Sequence, residues 1–235
     1  MTLKRIILFL ILAAGGSFAV LTWYPDVFFG SVLNSRYISV HTAAPLDISA
    51  GDMLGRVSDK LAADDFFDPG QKLELYLGDS YGKYSLLTPF CAKAPACVHP
   101  LTGKVFVAMA EPGKNLAYGP EEPPKARSLE GLVAHELVKA QLLNKIGPLK
   151  YLSLHEWQTD GYAEHVAMEA GDADPSIICP GNEPRDPRAQ YLQDRLVLDA
   201  VKQENDTSYP LLMDNNRSGD EALRHVMQRY CSKSN

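Results

Sequence analysis

Five side chains in the second half of the chain have types and spacing that could do chemistry. In LVAHELVKAQLLNKIG, residues 132–147, His135 and Glu136 are adjacent and Lys139 stands four residues after the histidine. In WQTDGYAEH, residues 157–165, Asp160 and Glu164 are four apart. Residues at i and i+4 share a helix face, so each segment would present its groups in one direction. An imidazole and a carboxylate can hold a divalent metal, and a neighbouring carboxylate can take a proton from a metal-bound water. A catalytic zinc wants three protein ligands and an open position. Lys139 is a poor third, because an ammonium has no lone pair until it loses a proton of pKa roughly 10.4. Gly161, between the two carboxylates, would let another helix or a ligand approach closely.

The elements that must position these groups are well punctuated. Ser128 is a reasonable N-cap, and the helix it opens runs to about Ile146, where Gly147 and Pro148 stop it. Glu130 in its first turn and Lys145 in its last suit the helix dipole. Ser153-Leu154-His155-Glu156 reads as a capping box opening a helix over 154–170, ended by Gly171. Helical segments are also expected around 188–204 and 219–231. Upstream, Ser49 to Asp52 resembles a capping box, followed by Met53, Leu54, Val57 and Leu61 at helical spacing. KLELYLGDS alternates Leu73, Leu75 and Leu77 as a half-buried strand does, and KVFVAMA, residues 104–110, is a second strand. Strands come early and helices late, so the fold class is α+β.

HELVKAQL, the glycine after it and WQTDGYAEHVA together resemble the gluzincin-type (peptidase MA-like) zinc metallopeptidases. That family carries His-Glu-x-x-His on one helix and Trp-x-x-Glu-Gly-x-Ala on a later one. Trp157, Gly161 and Ala163 match; Lys139 replaces the second histidine and Asp160 the liganding glutamate. The resemblance spans roughly residues 50–171. It implies a zincin-like fold: a small twisted sheet packed on the active-site helix, then a mainly helical C-terminal half. It also implies that KVFVAMA is the edge strand lining a cleft for a protein or peptide partner.

Beside an unrelated α+β domain that carries the motif by chance, two readings follow from the resemblance. In the first, metal and catalysis are lost, no cofactor is expected, and the domain acts as a binding or structural module. The ammonium of Lys139 then stands where the dication was, paired with Glu136, Asp160 and Glu164. In the second, the protein is an active zinc-dependent peptidase. Its ligands are His135 and Asp160, with Glu164 as a further candidate, and Glu136 is the general base. His165 lies roughly 140° around the helix from Asp160 and is not expected to be a ligand. His155 reads as a solvated helix end. His41, His99 and His225 have no partner at ligand spacing. One of the eleven tyrosines could stabilise an oxyanion, with no sequence signal to say which. No Gly-x-Ser-x-Gly, phosphate loop or dinucleotide glycine pattern occurs.

The N-terminus sets the compartment. Lys4 and Arg5 precede an uncharged apolar stretch, residues 6–22, with Trp23 and Tyr24 directly after it. This is either a short membrane anchor, N-terminus cytoplasmic, or a signal peptide cleaved near Ala19. Both export the rest: a connector over 25–48 and a domain over 49–235, in the periplasm or outside the cell. Cys91, Cys97, Cys179 and Cys231 form no Cys-x-x-Cys. In an oxidising compartment, pairs 91–97 and 179–231 are the natural choice among three pairings, against four buried thiols. A net charge of −6 with no basic run argues against nucleic acid as a partner.

Overall fold

The structure, a computed structural model, describes residues 4–6, 16, 23–121, 124–171, 173–181, 188–214 and 218–231. The apolar stretch 6–22 therefore lies outside the described residues, apart from Ile6 and Gly16. Among the described residues no helix is long and apolar enough to cross a membrane.

The fold is α+β. Strands β1 (Ser31–Ser35) and β2 (Ile38–Thr42) form a hairpin and lead to helix α1 (Ile48–Ala62). Then come β3 (Leu73–Leu77), the short helix α2 (Tyr81–Leu87), β4 (Ala96–Val98) and β5 (Val105–Val107). These strands make one mixed sheet in the order β1-β2-β3-β5-β4, with β2, β3 and β5 parallel and the outer strands antiparallel. Parallel neighbours need a crossover, which α1 supplies between β2 and β3. A second sheet follows from β6 (Met109–Glu111), β7 (Leu116–Tyr118) and β8 (Ala126–Ser128). The rest is helical: α3 (Leu129–Ile146), α4 (Pro148–Ser153), α5 (Glu156–Ala167), α6 (Ala189–Asn205), α7 (Tyr209–Leu212) and α8 (Asp220–Cys231).

Residues 25–48, read above as a connector, belong to the domain. Ile38 and Val40 are fully buried in the main core, and β2 hydrogen-bonds strands on both sides. A five-residue strand flanked by polar residues shows little period in the sequence, and its pairing with β3 is non-local. Leu73, Leu75 and Leu77 point into the same core, while Tyr76, between them, is buried on the opposite face with Phe29 and Phe106. β3 is thus covered on both faces rather than half-buried.

KVFVAMA is two strands. Gly78 donates its N–H to the Val107 carbonyl and accepts from Ala110 N, pinching the chain at Ala108. A Cβ at Gly78 would lie 2.4 Å from the Ala108 carbonyl oxygen, so this approach requires glycine. The expected edge-strand role is divided: β5 is interior to the first sheet, with β4 the outer strand beside it, while β6 is an outer strand of the second sheet.

Two caps are shifted. Asp47, not Ser49, caps α1, accepting from Ala50 N at 3.1 Å. Ser153 ends α4, and His155 is the N-cap of α5, its N–H bonded to Gln158 Oε1 at 3.0 Å. α5 stops at Ala167, with Met168 in the left-handed region, before Gly171 is reached. α3 is as expected: Ser128 Oγ accepts from Gly131 N, and Gly147 ends it at φ 84°. Residues 131–138 of α3 are all buried, which makes it the central helix of the core. Cys91–Cys97 and Cys179–Cys231 are both disulfides, the second joining the segment after α5 to the end of α8. Such bonds belong to proteins that fold in an oxidising compartment.

Candidate functional site

α3 supplies His135, Glu136 and Lys139; α5, packed across it, supplies Asp160 and Glu164. The approach of α6 to α5 needs Gly161, because a Cβ there would sit 2.5 Å from the Asp194 carbonyl oxygen. That contact is the helix approach anticipated for this glycine, and it brings Tyr191 of α6 onto the site. The Tyr191 ring stacks on His135 with centroids 4.0 Å apart. Arg127, one residue before the cap of α3, stands 4.8 Å over the same tyrosine ring.

All five predicted side chains converge, but as an ion-pair cluster. Lys139 Nζ donates to Asp160 Oδ1 at 2.7 Å and lies 3.5 Å from Glu136 Oε1. His135 Nε2 meets the same Asp160 oxygen at 3.1 Å. The other ring nitrogen, Nδ1, faces Glu164 Oε2 at 3.7 Å, too far for a hydrogen bond. Glu164 is occupied elsewhere, accepting the backbone N–H groups of Glu169 and Ala170 at 3.2 and 2.7 Å. Glu169 in turn forms a bidentate pair with Arg127 at 2.7 and 2.8 Å. Apart from Lys139 and Asp160, each about 15% exposed at the side chain, these charged groups are essentially closed to solvent.

Burial disfavours charge on each of these groups, and their neighbours decide the outcome. For His135, burial is outweighed by Asp160, Glu164 and Glu136, which hold the imidazole up at about pKa 9. For Lys139, burial is outweighed by Asp160 and Glu136, and its pKa stands well above the ordinary value. For Asp160, burial is outweighed by Lys139 and His135, which hold the carboxyl well below the usual carboxylate range. His135, Lys139 and Asp160 are therefore all charged at neutral pH. Lys139 in that state has no lone pair to offer as a nucleophile or a ligand.

The donor set does not fit a catalytic zinc. His135 Nε2 and Asp160 Oδ1 are at a separation that two donors on one tetrahedral ion would have, since each bond is about 2.0 Å long. Among the described residues no third donor joins them: Glu164 faces the opposite ring nitrogen, and the histidine position of the motif holds an ammonium 2.7 Å from the shared oxygen. His135, Glu164 and Glu169 do cluster on the Nδ1 side. There the carboxylates are already satisfied by Arg127 and by backbone N–H groups.

Several residues had no sequence signal. Arg127, Glu169 and Tyr191 reach the site only through the packing of α3, α5 and α6. Tyr151 lies near Lys139 and Glu136, and burial is the main cause that pushes its phenol up to about 12. His41, which has no partner at ligand spacing along the sequence, is buried in β2 between Asp26 and Glu74. His99 accepts from the backbone of Leu101 and Thr102, and His225 faces Glu204 at 3.1 Å. His165 turns away from Asp160, as expected, toward Tyr209. His155 is exposed at its helix end. Helix α6, within the segment expected around 188–204, packs over the site through Tyr191; residues 182–187 before it lie outside the described residues. Comparison with known protein families, characterised proteins and solved structures returns no match.

Proposed function

We propose that this is a membrane-anchored, exported domain of gluzincin-like fold that has exchanged its metal for an internal cation and acts as a binding or structural module. In this reading residues 6–22 anchor the chain with the N-terminus in the cytoplasm, and the cleft beside α3 receives a protein or peptide partner. One observation carries it: Lys139 Nζ lies among Glu136, Asp160 and His135, the groups a zincin would use for its base, one ligand and another. The ammonium neutralises carboxylates that would otherwise be buried unpaired, which is the condition for keeping such a framework without a metal. The two disulfides agree with export.

Elemental analysis of the purified chain, with isothermal titration of zinc, tests this reading. Wild type should hold far less than one equivalent of zinc and leave casein intact. Lys139→His combined with Asp160→Glu supplies the missing donor and the missing methylene, and should bind zinc with micromolar or tighter affinity. One tightly held equivalent in wild type, or zinc-dependent cleavage of casein, would overturn it.

A further inference from the structure

The segment between the apolar stretch and the first strand is fastened to the sheet rather than free. Trp23 offers its carbonyl to Lys104 Nζ at 2.5 Å. Two residues on, a turn of 3-10 helix, Pro25–Phe28, begins. Within it Asp26 accepts from the Tyr76 hydroxyl at 2.9 Å and lies 3.1 Å from His41 Nδ1. The other nitrogen of His41 meets Glu74 Oε2 at 2.5 Å. Phe29 then packs edge-on against Tyr76, centroids 5.1 Å apart. His41, Tyr76 and Phe106 are paired residues on neighbouring strands, and their rings stack into one row beneath the strap.

The strap buries Pro25 and Phe29 and half-buries Phe28, but leaves three apolar side chains largely exposed. Val27 is 74% exposed, Tyr24 65% and Trp23 52%, and on the adjoining edge strand β1, Val32 is 55% exposed. Apolar surface of this kind marks an interaction site. The chemistry names the occupant: Trp and Tyr side by side favour the headgroup zone of a bilayer. The uncharged stretch stops at Thr22, a single residue before the pinned carbonyl. One residue spans at most about 3.5 Å, so an anchor ending there leaves the strap no room to stand away from the lipid.

We infer that Trp23, Tyr24, Val27 and Val32 form a lipid-docking face that seats the domain directly on the bilayer in one orientation. The inference rests on the anchoring proposed above. Tyr76 and the strap lie on the face of the sheet opposite to Leu75 and Leu77, which pack with α3. The docked domain therefore places its sheet between the bilayer and α3, and the Lys139 cluster on the side away from the lipid.

The test uses the full chain reconstituted in phosphatidylcholine vesicles. Its four native cysteines are paired, so single variants Val27→Cys, Val32→Cys and, on α4, Leu152→Cys can each be labelled with an environment-sensitive dye. All three positions are exposed, so the substitutions leave the core intact. Iodide quenching should be about threefold or more weaker at 27 and 32 than at 152, because interfacial side chains sit within the headgroup layer. Equal quenching at all three sites, in protein that floats with the vesicles and resists carbonate extraction, would overturn the docking face while leaving the anchor in place. Loss of flotation would overturn the anchor and the docking face together. Disulfide dimers of Val27→Cys in the same vesicles would assign the face to a second copy of the chain and overturn it too.

Discussion

Replacing Lys139 by methionine keeps an unbranched side chain and removes the charge. At an effective dielectric of about 20, the ammonium attracts Asp160 at 2.7 Å by about 6 kcal/mol and Glu136 at 3.5 Å by about 5 kcal/mol. Taking the ammonium out of water opposes this by several kcal/mol, and removing one partner of such a buried set typically destabilises by about 3–5 kcal/mol. The effect also has a defined pH dependence. Asp160 is held below its unfolded pKa, so its contribution is present above about pH 4 and is lost as pH falls toward the folded value. The gap between wild type and Lys139→Met should therefore be full at pH 7 and smaller at pH 3. Equilibrium urea unfolding followed by circular dichroism measures both. With a slope of about 2 kcal/mol per molar, the midpoint at pH 7 should fall by about 2 M. Adding Asp160→Asn, which needs no counter-charge, should recover at least half of that loss. A midpoint within about 0.5 M of wild type at pH 7, or a gap unchanged between pH 3 and 7, would refute the idea that Lys139 neutralises this site.

Other perturbations probe the surrounding packing. Gly161→Ala puts a methyl against the Asp194 carbonyl, so thermal unfolding should report a loss of about 1–3 kcal/mol. Gly55→Ala, in α1 with nothing within 4 Å of the new Cβ, should instead be neutral or stabilise by up to about 1 kcal/mol. Burial pushes the Asp194 carboxyl well above the usual carboxylate range, up to about 7. The unfolded chain loses this proton first, so stability should fall as pH rises from about 4 to 7. Asp194→Asn should remove that fall, matching wild type near pH 4 and exceeding it by about 2–4 kcal/mol at pH 8 in urea titrations.

Much of the site was legible because it is written on two helices. Period, cap and stop residues located α3 within a residue, and the i, i+4 relation put Asp160 and Glu164 on one face of α5. The mixed sheet was harder, since β2 pairs with β3 across 35 positions of chain and its five residues carry no distinctive pattern. KVFVAMA reads as one strand because all seven residues suit a strand. The break at Ala108 comes from Gly78, some thirty residues earlier.

The sequence by itself determined the chemical inventory: a histidine, a glutamate and a lysine on one helix, two carboxylates on another, four cysteines and a charge-free N-terminal stretch. Local spacing is enough for such statements, because a helix face depends only on neighbours three or four residues away. Only the tertiary structure decided which charges meet. Asp160 takes both His135 and Lys139, Glu164 is turned to the far ring nitrogen, and Arg127 with Glu169 closes the rear of the site. Those choices depend on how closely α5 and α6 approach across Gly161. Helix separation is set by packing over the whole core, and no run of neighbouring residues encodes it.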